Sequence, residues 1–291
     1  MAKAASHLAM SQSAVSEGVT HLEDAIGVRL LDRSPQGIAP TIYANALLKR
    51  GHAVFDELKQ GIKDIEFLSD PTAGEVRIGC PEVLSYGFLP EVIYQLSRRH
   101  PQIAVRVTHL NLESLDFQVL QDRNVDFVIV RMPRSSVSDE VDIEALLDDT
   151  LLVIAGAQSA WARRRKVILP DLVNERWILP PTPYVRTVIK EAFELHGLQA
   201  PSERVTAHSI QLRIQLLSTG GFVSVLADSV LQENEKRWSL KALPIDLRVK
   251  PPPWSIVKLK NRTVGPVVQL FIDSLRDVVK TKPTEARNRK S

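Results

Sequence analysis

Residues 4–33 read AASHLAMSQSAVSEGVTHLEDAIGVRLLDR, and two short helical patterns follow each other in this stretch. The first covers residues 4–8. The second is predicted to begin after Ser11, a good N-cap, and to end at Gly27. Its apolar residues recur at helical spacing: Val15, Val19, Leu22 and Ile26. If Val15, Val19 and Leu22 pack inward, the polar residues near the start of the helix face outward. Two helices joined by a tight turn are therefore predicted.

The free face of the second helix is polar and could contact DNA. A recognition helix inserts its N-terminal end into the major groove, where Gln can pair with adenine and Ser can contact base edges or phosphates. The same polar face also suits an ordinary amphipathic helix, so the geometry alone leaves both readings open. The candidate DNA-binding residues on this helix are Ser11, Gln12, Ser13, Ser16 and Thr20.

A hairpin and then a long helix are predicted next. Residues 28–40 are rich in turn formers, with Ser34-Pro35-Gln36-Gly37 at the tip. Thr41 can cap a helix that runs to about Ser69, and residues 70–74 form a linker. One stripe of this helix is apolar and the opposite face is largely charged or polar, as expected for a helix that pairs with a partner. The stripe consists of Val54, Leu58, Ile62 and Ile65.

From residue 75 onward, strand and helix patterns alternate. Repeated β-α-β units favour an α/β fold with mostly parallel sheets and helices on both faces. The length of this region predicts two lobes, lobe 1 over about 75–150 plus 256–280 and lobe 2 over about 151–255. Strands are predicted at 76–80, 103–110, 125–131, 151–154, 222–226 and 255–259, and helices at 89–100, 114–122, 184–196, 209–219 and 264–280.

Composition excludes several classes of protein. The chain has 291 residues, of which 44% are hydrophobic and 24% charged, which excludes a disordered or fibrous chain. The longest apolar stretch, about residues 151–157, falls far short of the roughly 20 residues that span a bilayer. The single cysteine, Cys80, excludes an internal disulfide framework and fits the reducing cytoplasm.

The formal net charge of +3 carries little functional information. Residues 1–70 contain seven Lys or Arg and nine Asp or Glu, so the candidate DNA-binding end is net negative. The last twelve residues contain five Lys or Arg and one Glu. Such a segment, rich in charge and poor in apolar residues, predicts a basic, disordered tail over 281–291.

Residues 4–33 closely resemble the helix-turn-helix of the LysR-type transcriptional regulators. The family pattern is AA, L, SQxAxS, a spaced LE and then LGxxLFxR. It is matched here by Ala4-Ala5, Leu8, Ser11-Gln12, Ala14, Ser16, Leu22-Glu23, Ile26-Gly27, Leu30-Leu31 and Arg33. The resemblance extends over nearly the whole chain.

The resemblance implies three regions. A winged helix-turn-helix would cover residues 1–40, a linker and dimerisation helix 41–70, and a two-lobed, periplasmic-binding-protein-like α/β effector domain 71–280. Arg33, in the wing, would touch the DNA backbone, or else form a local ion pair with Asp32 or Glu23.

The family pattern also includes a further helix ahead of Ala4-Ala5, so the chain is expected to be N-terminally short by about one helix. Two hypotheses follow. The first is a DNA-binding regulator whose DNA engagement is controlled by a small-molecule effector. The second is a ligand-binding or dimerising module that has lost autonomous DNA binding.

Turns that follow strands predict where an effector binds, because helix N-termini offer free N–H groups. Three such turns, at residues 81–85, 180–183 and 208–209, could line one cleft. An arginine at the end of a strand could pair there with a carboxylate, or form a structural ion pair, and a serine could simply cap its helix. The candidates are Val83 (through its backbone amide), Ser85, Arg131, Thr182 and Ser209.

Motifs of catalysis are missing from the sequence. It contains no GxxxxGK[ST], no GxGxxG after a strand, no HExxH and no GxSxG, and its seven histidines show no metal-ligand spacing. We therefore expect no enzyme activity, no cofactor and no metal. The resemblance implies double-stranded DNA, a small-molecule effector and further copies of the chain (a homodimer or homotetramer) as partners. It admits RNA polymerase as another partner and predicts no membrane partner and a cytoplasmic location.

Overall fold

The computed structural model describes residues 2–34, 37–110, 117–132 and 139–281. These residues form two compact units, which divide between Lys59 and Gln60.

The N-terminal unit contains the two predicted helices and the hairpin. Ser11 caps α2 by accepting a hydrogen bond from the Ala14 N–H at 3.1 Å, and Gly27 ends that helix with a φ of 77°. Thr41 caps α3 through the Ala44 N–H at 3.2 Å. The elements are α1 (Ala2–His7), α2 (Gln12–Ile26), β1 (Leu31–Ser34), β2 (Gly37–Pro40) and α3 (Ile42–Ser69), which continues into the second unit.

The inward packing considered for three apolar residues of α2 is found for two of them. Val15 and Val19 are half-buried, whereas Leu22 is 43% exposed, and no residue of α2 is fully buried. β1 and β2 pair antiparallel with Leu31 opposite Pro40. The predicted hairpin tip at Pro35 and Gln36 lies outside the described residues.

The second unit contains two lobes, each built on a five-stranded sheet. In lobe 1 the strand order is β4-β3-β5-β12-β6. Its elements are β3 (Ala73–Cys80), α4 (Leu89–Arg99), β4 (Gln102–His109), α5 (Gln118–Gln121), β5 (Phe127–Arg131), β6 (Val141–Leu147), β12 (Trp254–Leu259) and α9 (Pro266–Thr281). β3 begins inside the segment 70–74 that was predicted as a linker.

Lobe 2 has the strand order β11-β7-β10-β8-β9. Its elements are β7 (Leu151–Gly156), β8 (Trp177–Leu179), α6 (Pro183–Glu194), β9 (Glu203–Thr206), α7 (Ile210–Ser218), β10 (Val223–Ala227), α8 (Asp228–Trp238) and β11 (Leu240–Ala242). The chain passes from lobe 1 to lobe 2 between β6 and β7, and returns between β11 and β12. Both sheets carry apolar clusters on their two faces, so each lobe has helices on both sides.

The expectation of mostly parallel sheets is wrong. Half of the strand pairings in each sheet are antiparallel: β12 with β5 and β6 in lobe 1, and β7 with β10 and β11 in lobe 2. The physical reason is that the chain crosses between the lobes twice, once into lobe 2 and once back into lobe 1. β7 and β12 are the strands that enter their sheets from the other lobe, and both run opposite to their neighbours.

Some predicted elements lie partly outside the described residues. Of the helix predicted at 114–122, the structure describes only α5 and its flanks, and most of the break at 132–138 is not described. The predicted tail at 281–291 lies outside the described residues from residue 282 onward. Within the described ranges, no helix is long and apolar enough to cross a membrane.

Candidate DNA-binding and effector-binding sites

The predicted DNA-binding residues lie together at the start of α2 and on the hairpin. Gln12 and Ser13 are exposed, and the amide of Gln12 makes no hydrogen bond to any described residue. Ser11 Oγ is occupied by the helix cap and lies 2.9 Å from Ser13 Oγ. Gln12 therefore has the freest side chain for contacts with bases, and the exposed Ser13 hydroxyl shares a hydrogen bond with Ser11.

Arg33 and Ser16 contact each other. Arg33 Nη2 donates a hydrogen bond to Ser16 Oγ at 3.3 Å, so that the arginine of the hairpin lies beside the recognition face of α2. Among the described residues Arg33 forms no ion pair with Asp32 or Glu23, the alternative considered from the sequence. Ser16 is half-buried, and exposed Thr20 donates its hydroxyl to the Ser16 carbonyl at 3.1 Å.

Glu23, part of the quoted motif, has a structural role between α2 and the hairpin. Its Oε1 accepts hydrogen bonds from the backbone N–H groups of Leu30 at 2.6 Å and Leu31 at 3.0 Å. These two bonds lower the pKa of Glu23, because they favour the ionised carboxylate. The carboxylate thus fixes where the chain leaves α2 and enters β1.

A cavity of about 280 Å³ lies between the two lobes. Two of the predicted effector-binding residues, Val83 and Thr182, line it. Thr182 precedes α6 without making a side-chain cap, so its hydroxyl is available to a ligand. Apolar residues form much of the remaining wall, including Leu110, Leu151, Val185, Val225, Leu226 and Trp254.

Ser85 and Ser209 do not line this cavity, although each lies beside a residue that does. Ser85 Oγ is 3.0 Å from Nε2 of His109, which lines the wall. Ser209 caps α7 by accepting from the Leu212 N–H at 3.3 Å, while its neighbour His208 lines the cavity. Ser209 therefore has the capping role that was the alternative reading, and Ser85 supports His109.

The geometry argues against Arg131 as a ligand residue. Its side chain is fully buried, and Nη1 donates to the carbonyls of Asp149 and Pro252, both at 2.8 Å. Nη2 forms an ion pair with the Asp149 carboxylate at 3.2 Å. The guanidinium also lies 4.5 Å from the ring centroid of Trp254. Arg131 lies behind the cavity wall and links the two segments that cross between the lobes.

Arg213, on α7, is a cavity residue that the sequence reasoning missed. It is only 6% exposed, and its Nε has no hydrogen-bond partner among the described residues. Burial lowers the pKa of Arg213 to about 10. The available signal was the single charge in the helix IQLRIQLLS, whose other residues are apolar or neutral.

Glu82 connects the lobes at one side of the cavity. Its Oε2 accepts a hydrogen bond from the Ile210 N–H at 3.0 Å, so a carboxylate of lobe 1 satisfies the N-terminus of a helix in lobe 2. Glu82 and Tyr184 are the cavity residues that interact electrostatically with Arg213. The cavity therefore has one buried cation and one carboxylate on an otherwise largely apolar wall.

Groups suited to metal binding or thiol chemistry do not cluster in the described ranges. No set of three or more His, Cys, Asp or Glu side chains there could hold a metal ion. Cys80 is buried at the end of β3, and burial raises the pKa of its thiol to about 12. Such a thiol is protonated at neutral pH and is a poor nucleophile.

Two family models match the chain. The model described as LysR substrate binding domain matches residues 69–280, and the model described as bacterial regulatory helix-turn-helix protein, lysR family, matches residues 1–44. The HTH-type transcriptional regulator GbpR of Azospirillum brasilense is 25% identical over 98% of this chain and 83% of its own length.

Solved structures share the fold. A full-length OxyR variant from Pseudomonas aeruginosa superposes with a TM-score of 0.69 at 20% identity, covering 97% of this chain and 90% of that one. The regulatory domain of CcmR from Synechocystis PCC6803, solved with 2-PG, has a TM-score of 0.61 at 23% identity, covering 72% of this chain and 99% of that one. The predicted α/β fold, with a helix-turn-helix followed by a two-lobed domain, is confirmed.

Proposed function

Because the chain belongs to the LysR family of bacterial transcriptional regulators, we propose that α2 reads DNA in the major groove and that an effector between the lobes controls this engagement. The single observation that carries the proposal is the cavity, whose wall combines Val83 of lobe 1 with Thr182 of lobe 2. A ligand that contacts both lobes binds best to one arrangement of them. This differential affinity is what couples an effector to DNA binding.

On the DNA side, we propose that Gln12 and Ser13 contact base edges and that Arg33 contacts a phosphate. Gln12 is exposed at the first position of α2, the end of a recognition helix that enters the groove. Ser11, Ser16 and Thr20 support this surface through the cap and the hydrogen bonds within the helix.

We further propose the domain division given above, in which residues 1–40 bind DNA, 41–70 pair two copies and 71–280 bind the effector. Two paired copies would place two recognition helices on an interrupted inverted repeat. The chain would act in the bacterial cytoplasm without catalysing a reaction, with RNA polymerase as a further partner.

A gel-shift titration on the DNA upstream of the chain's own gene tests the DNA-binding role. We expect Gln12→Ala to weaken specific binding by about tenfold, since a bidentate base contact contributes about 1–3 kcal/mol of discrimination. Arg33→Ala should weaken binding to all sequences and reduce its salt dependence, as loss of a phosphate contact does. Gln95→Ala, on α4, is the matched control.

Equal affinities for wild type and Gln12→Ala would refute the assignment of α2 as the reading helix. Absence of any salt-sensitive shift by the wild type would favour the module that binds ligand and dimerises without binding DNA alone.

A further inference from the structure

The guanidinium of Arg213 is a buried charge without an adequate partner in the protein. The residue is 94% buried, since only 6% of its surface is exposed, and its Nε forms no hydrogen bond to a described residue. Burying an ionised group costs several kcal/mol unless it is paired and hydrogen-bonded. The Nε of Arg131, the other buried arginine of this region, is also unpaired among the described residues, but its two terminal nitrogens donate three hydrogen bonds to Asp149 and Pro252. Arg213 differs from Arg131 in that it lines the cavity.

The surroundings of Arg213 restrict what could pair with it. Among the described residues that line the cavity, Arg213 alone carries a permanent positive charge, and the two histidines, His109 and His208, have hydrogen bonds or electrostatic partners of their own. The nearby carboxylate of Glu82 is engaged by the Ile210 N–H. One positive group is therefore directed into a space whose other walls are largely apolar.

We propose that the effector is a small organic acid with an apolar body, whose single acid group forms an ion pair with the guanidinium of Arg213. The acid group, a carboxylate or a singly charged phosphate ester, supplies the acceptor oxygens that Arg213 lacks. The apolar body packs against Leu151, Val225 and Trp254. A second acid group is disfavoured, because the carboxylate of Glu82 would repel it.

This inference rests on the proposed function, since it identifies the chemical class of the effector that the cavity takes. It also gives a role to the one charged residue of α7. A buried, unpaired charge destabilises the free protein, and an acid that pairs with it recovers that free energy on binding. We therefore predict that Arg213 does not stabilise the fold of the ligand-free protein.

Three six-carbon probes separate the charge from the hydrocarbon: hexanoate, its neutral amide hexanamide, and the diacid adipate. Thermal unfolding of the full chain is followed at millimolar concentrations of each probe. A ligand that binds only the folded state raises the Tm according to its concentration relative to its Kd. We expect hexanoate to raise the Tm. Hexanamide should bind at least about tenfold more weakly, because it loses the charged hydrogen bond. Adipate should also bind more weakly than hexanoate, because the carboxylate of Glu82 repels its second acid group, and equal binding of adipate would contradict the single-acid assignment.

Two variants and a control complete the experiment. Arg213→Gln should abolish the hexanoate effect while the Tm of the free protein stays equal or rises, and Arg213→Lys, which keeps the charge, should retain part of the effect. Arg204→Gln, an exposed arginine of the same lobe, should behave as wild type. If Arg213 instead stabilised the fold, Arg213→Gln would lower the Tm of the ligand-free protein.

The proposal is overturned if hexanoate leaves the wild-type Tm unchanged, if hexanamide stabilises as well as hexanoate, or if Arg213→Gln keeps the hexanoate effect. A gel shift with the wild type keeps this outcome separate from the proposed function. A salt-sensitive shift by the wild type, together with any of these three results, would overturn only the assignment of the acid to Arg213. Loss of DNA binding by the wild type would instead refute the regulator itself.

Discussion

Asp149 joins both lobes through a single buried carboxylate. It accepts hydrogen bonds from Trp254 Nε1 at 3.0 Å in lobe 1 and from Ser229 Oγ at 2.8 Å in lobe 2, in addition to its ion pair with Arg131. Asp149→Asn keeps the shape but leaves Arg131 charged without a counter-ion. We expect the free energy of unfolding in urea to fall by about 3–5 kcal/mol, the usual cost of breaking a buried ion pair.

Asp142, an exposed residue of β6, provides the control. Asp142→Asn should change the free energy of unfolding by no more than about 0.5 kcal/mol. Equal losses in the two variants would show that loss of any negative charge destabilises the fold, and that the bonds of Asp149 have no special role. A restored stability in a variant that replaces both Asp149 and Arg131 by neutral residues would support the ion pair.

The two buried arginines show which property of a single residue could not be predicted from the sequence. Arg131 and Arg213 are both arginines beside apolar runs, and the sequence pointed to the one at the end of a strand. What separates them is the position of Asp149 and Pro252, which are 18 and 121 residues from Arg131 along the chain. A charge partner so distant along the chain cannot be recognised from the residues around Arg131. For the same reason, the sequence around Arg213 does not show that this arginine lacks an adequate partner among the described residues.

At the scale of elements, apolar runs were predictable and short or mixed segments were not. β5 (FVIVR) is buried throughout, and its apolar run made it an evident strand. β6 was not predicted, because its middle residues are only half-buried and include the charged Glu144. The strand accommodates this charge through an ion pair between Glu144 and Arg276 of α9. β8, with three residues, is too short to show a period. The Ser11, Gly27 and Thr41 helix signals were correct because capping is local.

The junction between α2 and β1 should respond to pH through Glu23. Its pKa is lowered by the Leu30 and Leu31 N–H groups, so the bonds stabilise the fold above the ordinary Glu pKa and are lost as the pH falls through the lowered value. In NMR titrations, the amide shifts of Leu30 and Leu31 should move together at a pH below the usual range for a Glu side chain. Glu23→Gln should speed hydrogen exchange of both amides at neutral pH.

Glu17→Gln, an exposed position on the same helix, is the comparison for this experiment, and it should leave both amides as in wild type. The role of Glu23 as acceptor for these two amides would be contradicted if the amide shifts of Leu30 and Leu31 did not change with pH. It would also be contradicted if they titrated equally in Glu23→Gln.

At the scale of the whole molecule, α3 has two different sides. Phe67 packs against the core of lobe 1, and Gln60, 7% exposed, lies so close to Gly265 that a Cβ there would displace the Gln60 amide. The opposite side carries the apolar stripe predicted from the sequence. Its side chains are exposed: Val54 60%, Leu58 62%, Ile62 57% and Ile65 65%. Lobe 1 thus uses one side of the helix and leaves the apolar stripe exposed.

We therefore predict that two copies of the chain pair through this stripe, and that Leu58→Lys combined with Ile62→Lys dissociates them. Burying such a side chain contributes about 1.5–3 kcal/mol, and a symmetric contact loses two side chains from each copy, so the dissociation constant should rise at least about a hundredfold. Sedimentation velocity measures the change. His52→Lys adds one positive charge at an exposed position on the other side of the helix and should sediment as wild type. If both variants dissociate, charge and not the apolar stripe is responsible; if neither does, the copies pair through another surface, and the spacing of the two recognition helices on DNA must be set there.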